Sequence, residues 1–439
     1  MTTKILPRIA MMKIEDLHFR ICDKGLFLPL ARRLARDVKK VTYWSPCERD
    51  FPSLLDSIGD GFPDIERVDC HLEGSDEVDV WCFPDTGFTN LQADLAGQGR
   101  NVWGSRGGDE LELNRGLFLE TIKNLGLPVP EYAKIKGITN LKLHLRDLED
   151  KWIKISGHRG DWETFHWRSW EEDENELDAK AARLGPFREL LTFYVLDPID
   201  ADVEDGCDAY NIDGEFPSLA IHGMEAKDKA YVGTFQQYDD LPEELRRINE
   251  AFGPLLGEYG YRNFFSIEVR ITKDGEAFFI DPTCRAGSPP SQVQAEMIGN
   301  LAEVIWRGSQ GELVDPEPAA KFGVQALCKL HRDKDTWAYV KVDDELDRWL
   351  KSTHCMFQDG MLCLPPGEYV TGCEDWLVGI GDTFEEAIKH LQHNIELLQC
   401  GCECDATQLC ELLKEVNEAE AQGMEFSDQP IPNPETALP

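Results

Sequence analysis

The chain has 439 residues, 42% of them hydrophobic and 29% charged, enough for two or three domains with a sizeable core. Its 45 basic and 82 acidic side chains give a formal net charge of −37, which excludes the broad basic footprint of nucleic-acid and anionic-membrane binders. No run is apolar enough to span a bilayer, and "MTTKILPRIAMMKIEDL" lacks the apolar core of a signal peptide, so a cytoplasmic protein with reduced thiols among its 14 cysteines is expected.

In chain order, "LFLPLARRLARDV" predicts a helix with Leu28, Leu30, Ala31, Leu34 and Ala35 on one side. "KKVTYWSP" predicts a strand, "VDVWCFPD" (78–85) an apolar strand, "FTNLQADLAGQG" a helix with a glycine stop, and "RNVWGS" another strand. This rhythm predicts a small parallel sheet with helices on its faces. Ligands of such sheets bind beyond the carboxyl ends of strands, so "FPDTG" (83–87) is either a site edge or a plain strand–helix loop. Next come a single helix over 109–126 and the extended "LPVPEYAKI". Residues 151–318 alternate strands with polar segments, including "SWEEDENELDAKAARLG" as a solvated helix. "WLVGIGDTFEEAIKHLQHNIELLQC" reads as a strand, a Gly-Asp-Thr helix start and an amphipathic helix. "CGCECDATQLC" lacks the spacing of zinc-binding pairs and is expected to be a helix end leading into a polar stretch. Beyond about 412 an acidic, proline-bearing and flexible tail is expected.

The stretch "FFSIEVRITKDGEAFFIDPTCRAGSPP" (264–290) carries the chemistry. Its first half alternates apolar Phe265, Ile267, Val269 and Ile271 with polar Ser266, Glu268 and Arg270, as a half-buried strand does. Asp274-Gly275 suits a two-residue type I′ turn. That turn sets Glu268 opposite Asp281, and Ser266 opposite Thr283, with Cβ atoms roughly 4.5–5.5 Å apart across the pair. Like charges there repel. Either a cation with hard-oxygen preference, Mg²⁺ above all, lies between the acids, or they share an exposed face with Arg270 or Arg285 between them.

Phosphates held by such a metal need cations and backbone N–H groups nearby. "DKWIKISGHRGDWETF" (150–165) offers Lys154 on a strand and Arg159 in a loop flexed by Gly157 and Gly160, or else a plain hairpin turn. Lys227 and Lys229, in "GMEAKDKAYVG", form a second basic pair or a surface charge cluster.

The order of these segments resembles the ATP-grasp enzymes, and most of all their phosphoribosylamine–glycine ligase branch, from about residue 27 to 398. "IEVRITKDGEAFFIDPTCRAGSPP" resembles the strand–turn–strand that carries the family's metal-binding acids. "NVWGSRGGDELELNRGLFLETIKNLGLPVPEY" is similar to the helix leading into the ATP domain, and "WLVGIGDTFEEAIKHL" to the closing strand and helix. The resemblance implies an α/β chain with an α+β ATP domain. A parallel pre-ATP-grasp domain would span 1–106, an ATP-grasp domain in two subdomains 107–318, a small mixed domain 319–400, and an acidic tail 401–439.

It also implies an ATP-dependent ligase that joins a small carboxylate to an amine through an acyl phosphate, uses Mg²⁺ or Mn²⁺, and admits a homodimer. Lys154 and Arg115 would contact ATP phosphates, Lys154 and Arg285 would be catalytic, and Gly157, Arg159 and Gly160 would form a lid. The backbone of Thr192, Phe193, Tyr194 and Val195 would read adenine. Glu204, or Asp202 or Asp205, would take the ribose hydroxyls, and Lys229 or Lys227 a further phosphate. Glu268, Asp281 and Thr283 would bind the metal. The branch's glycine-rich phosphate loop is replaced by "ICDKGLFLPLA" (21–31), which counts against phosphoribosylamine as substrate. The rival readings are the true phosphoribosylamine–glycine ligase and an ATP-binding protein without turnover.

Overall fold

A computed structural model describes residues 12–46, 54–156, 164–226, 229–330, 335–366, 375–398, 403–404, 407–421 and 426. The chain forms two units: Gly108–Asp205 with Ile267–Pro282, and a larger one from Met1–Gly107, Gly206–Ser266 and Thr283–Pro439.

In the larger unit the first βα rhythm folds as expected into a parallel sheet, ordered Glu66–Arg67, Lys40–Trp44, His18–Cys22, Val80–Cys82 and Val102–Trp103. All five residues of His18–Cys22 are buried, as the central strand of a sheet covered on both faces must be. The helix Leu28–Leu34 covers one face with Leu28, Leu30, Ala31 and Leu34. The strand order reverses at the central strand, where Val80–Cys82 pairs on the side opposite Lys40–Trp44. The residues following His18–Cys22 and Val80–Cys82 therefore flank the switch point, the crevice where such sheets hold ligands.

A larger, mostly antiparallel sheet runs Ala277–Thr283, Arg262–Thr272, Ala201–Ile212, Leu219–Ala226, Ala230–Gln237, Phe322–Lys329, Asp375–Gly381 and Leu350–Ser352, with Glu403–Cys404 beside Phe322–Lys329. Its closing strand, Asp375–Gly381, leads into the helix Phe384–Leu397. There Thr383 and Glu386 form a reciprocal capping box, each side chain taking the other's backbone N–H.

The chain end departs from expectation. Thr407–Ala421 is a helix, and Leu409, Leu412, Leu413 and Val416 are buried in the main core. Their spacing is that of one apolar helix face, which the surrounding Glu and Gln residues hide from a composition-based reading. Replacing Leu413 by Ala is expected to cost about 2–5 kcal/mol, read by calorimetry as a lower melting temperature. A helix that contributed nothing to the fold would leave it unchanged.

In the smaller unit a four-stranded antiparallel sheet runs Tyr132–Lys136, Thr192–Leu196, Lys151–Ile155 and Thr164–Trp167. Ile153, Ile155, Phe193 and Val195 pack with Ile138, Leu141 and Leu145 of the helix Ile138–Leu145, and with Leu177 and Ala181 of Trp170–Leu184. Strand alternation sends Lys154 and Tyr194 to the opposite face. The single helix expected over 109–126 is two, Glu110–Leu113 and Arg115–Asn124. Asn114 between them has extended backbone, and its side chain accepts the N–H of Leu117 at 3.1 Å, so it ends one helix by capping the next.

Candidate active site

Asp281 is the centre of a charge cluster inside the smaller unit. The Lys154 ammonium lies 2.5 Å from its Oδ2. The guanidinium of Arg115, the first residue of its helix, donates to Asp281 Oδ1 through Nη2 and to the Ile280 carbonyl through Nη1 at 2.9 Å. Arg115 is fixed from other sides too. Its backbone N–H donates to Ser156 Oγ at 3.0 Å, and its guanidinium lies 5.3 Å from the centre of the Phe118 ring. Phe118 packs edge-on against Phe279, two residues before Asp281. Burial alone would raise the Asp281 carboxyl, but Arg115 and Lys154 hold it well below the usual carboxylate range. Arg115 is 4% exposed, and its fork serves the strand that carries Asp281, whereas the sequence reading gave it a phosphate contact.

The hairpin differs in detail from expectation. The N–H of Gly275 donates to Thr272 O at 2.8 Å, and Thr272 N–H to Glu276 O at 3.0 Å, with Gly275 at φ +79°. This is a three-residue turn with a glycine bulge, not a two-residue one, and it shifts the register at the turn by one. Along the second strand, Ala277 and Phe279 are buried and Phe278 half-buried. Ile280 and Asp281 are then both half-buried in succession, before buried Pro282. Arg270 does not lie between the acids. It pairs with Glu204, Nη2 at 2.7 Å and Nε at 3.0 Å from Oε2.

The segment expected to read adenine lies inside a sheet. Phe193–Leu196 pairs on one side with Tyr132–Ile135 and on the other with Trp152–Ile155. An antiparallel strand flanked on both sides spends its N–H and C=O groups in the two ladders. The backbone of Phe193, Tyr194 and Val195 is therefore committed to the sheet, and Thr192 is paired on one side. The pairing continues one residue past the strand, where Asp197 N–H donates to Glu131 O at 2.9 Å.

The remaining expected residues lie elsewhere or outside the description. Gly157, Arg159, Gly160 and Lys227 fall outside the described residues. Lys229 is exposed at the tip of the hairpin Leu219–Ala226 and Ala230–Gln237 in the larger unit. Thr283 and Arg285 also belong to the larger unit. Arg285 donates to Ala286 O at 2.8 Å, and its Nε lies 3.9 Å from Asp85 Oδ1, in the loop that the sequence reading placed at a site edge.

The other loop at the switch point, directly after His18–Cys22, holds a residue the sequence reading passed over, Asp23. Its Oδ2 accepts the N–H groups of Gly25 and Phe27 at 2.9 and 2.8 Å and the Tyr43 hydroxyl at 2.8 Å. Asp23 is fully buried. Burial first, and the Asp85 carboxylate second, push its carboxyl up to about 6. An internal carboxylate thus takes the backbone donors of "CDKGLF" that a bound phosphate would need. The Asp-x-Gly spacing two residues ahead of a helix start was the available signal.

For a metal, the donors are hard oxygens on two adjacent strands, Glu268 and Asp281. Among the described residues no group of three or more His, Cys, Asp and Glu side chains gathers as a metal site. Two carboxylates beside a lysine suit Mg²⁺, which takes one or two carboxylates and completes its shell with water and phosphate oxygens. No helix among the described residues is long and apolar enough to cross a membrane.

No protein-family model matches the chain, and no curated protein matches it in sequence. Solved structures do. Phosphoribosylamine–glycine ligase from Thermotoga maritima matches with a TM-score of 0.65 at 14% identity, over 89% of this chain and 98% of that one. The L-amino acid ligase of Bacillus licheniformis matches with 0.57 at 15% identity, over 89% and 99%. The biotin carboxylase domain dimer of the Hydrogenobacter thermophilus 2-oxoglutarate carboxylase, solved with MgADP, ADP and bicarbonate, matches with 0.60 at 11% identity, over 93% and 96%. Together with the parallel sheet, the antiparallel sheets and the acid-bearing hairpin, these likenesses show that the chain has the ATP-grasp fold.

Proposed function

We propose that this protein is an ATP-dependent ligase that joins a carboxylate to an amine by way of an acyl phosphate. The single observation that carries the proposal is the Lys154–Asp281 pair, in which a buried cation on the strand Lys151–Ile155 meets a metal-binding type of acid on the hairpin of an ATP-grasp fold. Asp281 and Glu268 would hold Mg²⁺ or Mn²⁺, which when bound supplies positive charge to phosphate oxygens during phosphoryl transfer. Lys154, anchored in a strand rather than a loop, would meet the transferring phosphate as a fixed cation. Arg115 would hold Asp281 in place through the Ile280 carbonyl and the carboxylate. Glu204, held by Arg270, would face the ribose hydroxyls. Thr283 and Arg285 enter the same proposal through the resemblance alone.

Asp23 and Asp85 favour a second substrate without a phosphate at the switch point, and so count against phosphoribosylamine. The carboxylate, the amine and the assembly of this chain are part of the proposal to be tested.

Replacing Lys154 by Met is expected to reduce carboxylate-dependent ADP release by about 10²-fold or more, with circular dichroism unchanged. ADP release equal to wild type would remove Lys154 from the reaction. Nucleotide binding without any ADP release, in the wild type and across carboxylates, would favour the ATP-binding protein without turnover.

A further inference from the structure

In the larger unit, the helix Leu28–Leu34 and the segment around Leu350–Ser352 enclose a cavity of about 250 Å³. Its lining includes Arg32, Arg36, Arg348 and Lys351, an unusual concentration of cations in a chain of net charge −37. Three of them share one carboxylate. Glu296, whose side chain is 0% exposed, receives Arg36 Nη2 and Lys351 Nζ at 2.6 Å each on Oε1, and Arg348 Nε and Nη2 at 3.0 Å on Oε2. Both oxygens are used, so one carboxylate serves three cations. Arg32, over the Phe62 ring at 4.6 Å, is neutralised separately by Asp64 and Asp347.

Burial of surplus like charge is costly unless an opposite charge joins it. Lys351 registers that cost. Burial pushes it down to about 8, against the pull of Glu296 and with Arg36 and Arg32 adding to the fall. Guanidinium forks match the oxygens of a phosphate, and those of Arg36 and Arg348 are partly exposed, at 33% and 50%. Pro29, Phe62 and Leu362 supply an apolar remainder of the wall. We propose that this cavity binds a phosphate group, free or as the monoester of a small organic molecule, on Arg36, Arg348 and Lys351. The volume suits a phosphate with a few carbon atoms and no nucleotide.

The test is isothermal titration of the full chain with inorganic phosphate, at constant ionic strength and with ADP present. Glycerol 3-phosphate and succinate are run in parallel. Saturable phosphate binding is expected, weakened roughly tenfold or more by Arg348→Gln, which removes a half-exposed fork. Arg36→Lys keeps a cation beside Glu296 and removes the fork, so it gives a second reading if Arg348→Gln does not fold. Tighter binding of glycerol 3-phosphate assigns an organic phosphate, and equal or weaker binding assigns phosphate itself. Phosphate binding unchanged in both variants, or matched by chloride, would overturn the site. Binding of succinate without phosphate would overturn the assignment of the ligand.

Discussion

Replacing Asp281 by Asn is expected to lower turnover by about 10²–10³-fold or more, because the substitution removes an anionic ligand of the metal and the counter-charge of Lys154. The same change has a structural cost. Arg115, 4% exposed, and Lys154, 8% exposed, are both paired with Asp281 in the structure. Removing that carboxylate's charge weakens the cluster, at a cost of up to about 3 kcal/mol for a group that is itself partly open to solvent. The variant is therefore expected to melt earlier while keeping its circular dichroism. ADP release and differential scanning calorimetry on the same preparation separate the two effects. Turnover near wild type would show that Asp281 does not bind the metal.

The largest stability effect is expected at Glu296. Its carboxylate is fully buried among Arg36, Arg348 and Lys351, so Glu296→Gln leaves three cations around a neutral amide. Breaking a buried network from one side in this way costs about 3–5 kcal/mol. The sign of the pH dependence follows from the two shifted groups. Burial opposes ionisation of Glu296, but Lys351 and Arg36 outweigh it and hold the carboxyl below its ordinary value. A depressed carboxyl contributes stability that is present above its unfolded pKa and lost as pH falls through the folded one. In the wild type that loss belongs to the acid side. Lys351 is shifted down to about 8, so the folded state sheds its proton before the unfolded state does, and this contribution rises with pH above that value. In Glu296→Gln the carboxylate that supports the charged lysine is gone. The deficit relative to wild type is expected to be greatest near neutral pH and smaller near pH 9.5. Melting temperatures of both proteins at the two pH values check this, and a deficit independent of pH would show that Lys351 does not respond to Glu296.

How much was legible depended on whether the signal was local. The first parallel sheet and its helices were readable because apolar period and turn residues lie within each segment. So was the closing strand and helix, where Thr383 and Glu386 announce a capping box three residues apart. Non-local partners were not readable. Nothing near Arg115 in sequence reveals that its fork reaches Ile280 and Asp281, more than 160 positions away. Asp274-Gly275 suggested a two-residue turn, and the choice between that and a three-residue turn depends on strand twist and bulges that the dipeptide alone does not encode. The strand Thr192–Leu196 was recognisable, but its interior position was not, and that position decides whether its backbone is free to read a base. The helix Thr407–Ala421 was masked by its acidic outer face, although Leu409, Leu412, Leu413 and Val416 kept helical spacing.

Hydroxamate formation tests the ligase proposal most directly. The protein is incubated with Mg-ATP, hydroxylamine and a panel of carboxylic acids that includes amino acids, and hydroxamate and ADP are measured together. Hydroxylamine replaces the unknown amine, so only the acyl side has to be found. The expected result is equimolar hydroxamate and ADP with at least one acid, absent in the Asp281→Asn variant. ATP bound in the same samples, with neither product formed across the panel, would contradict an acyl-phosphate ligase.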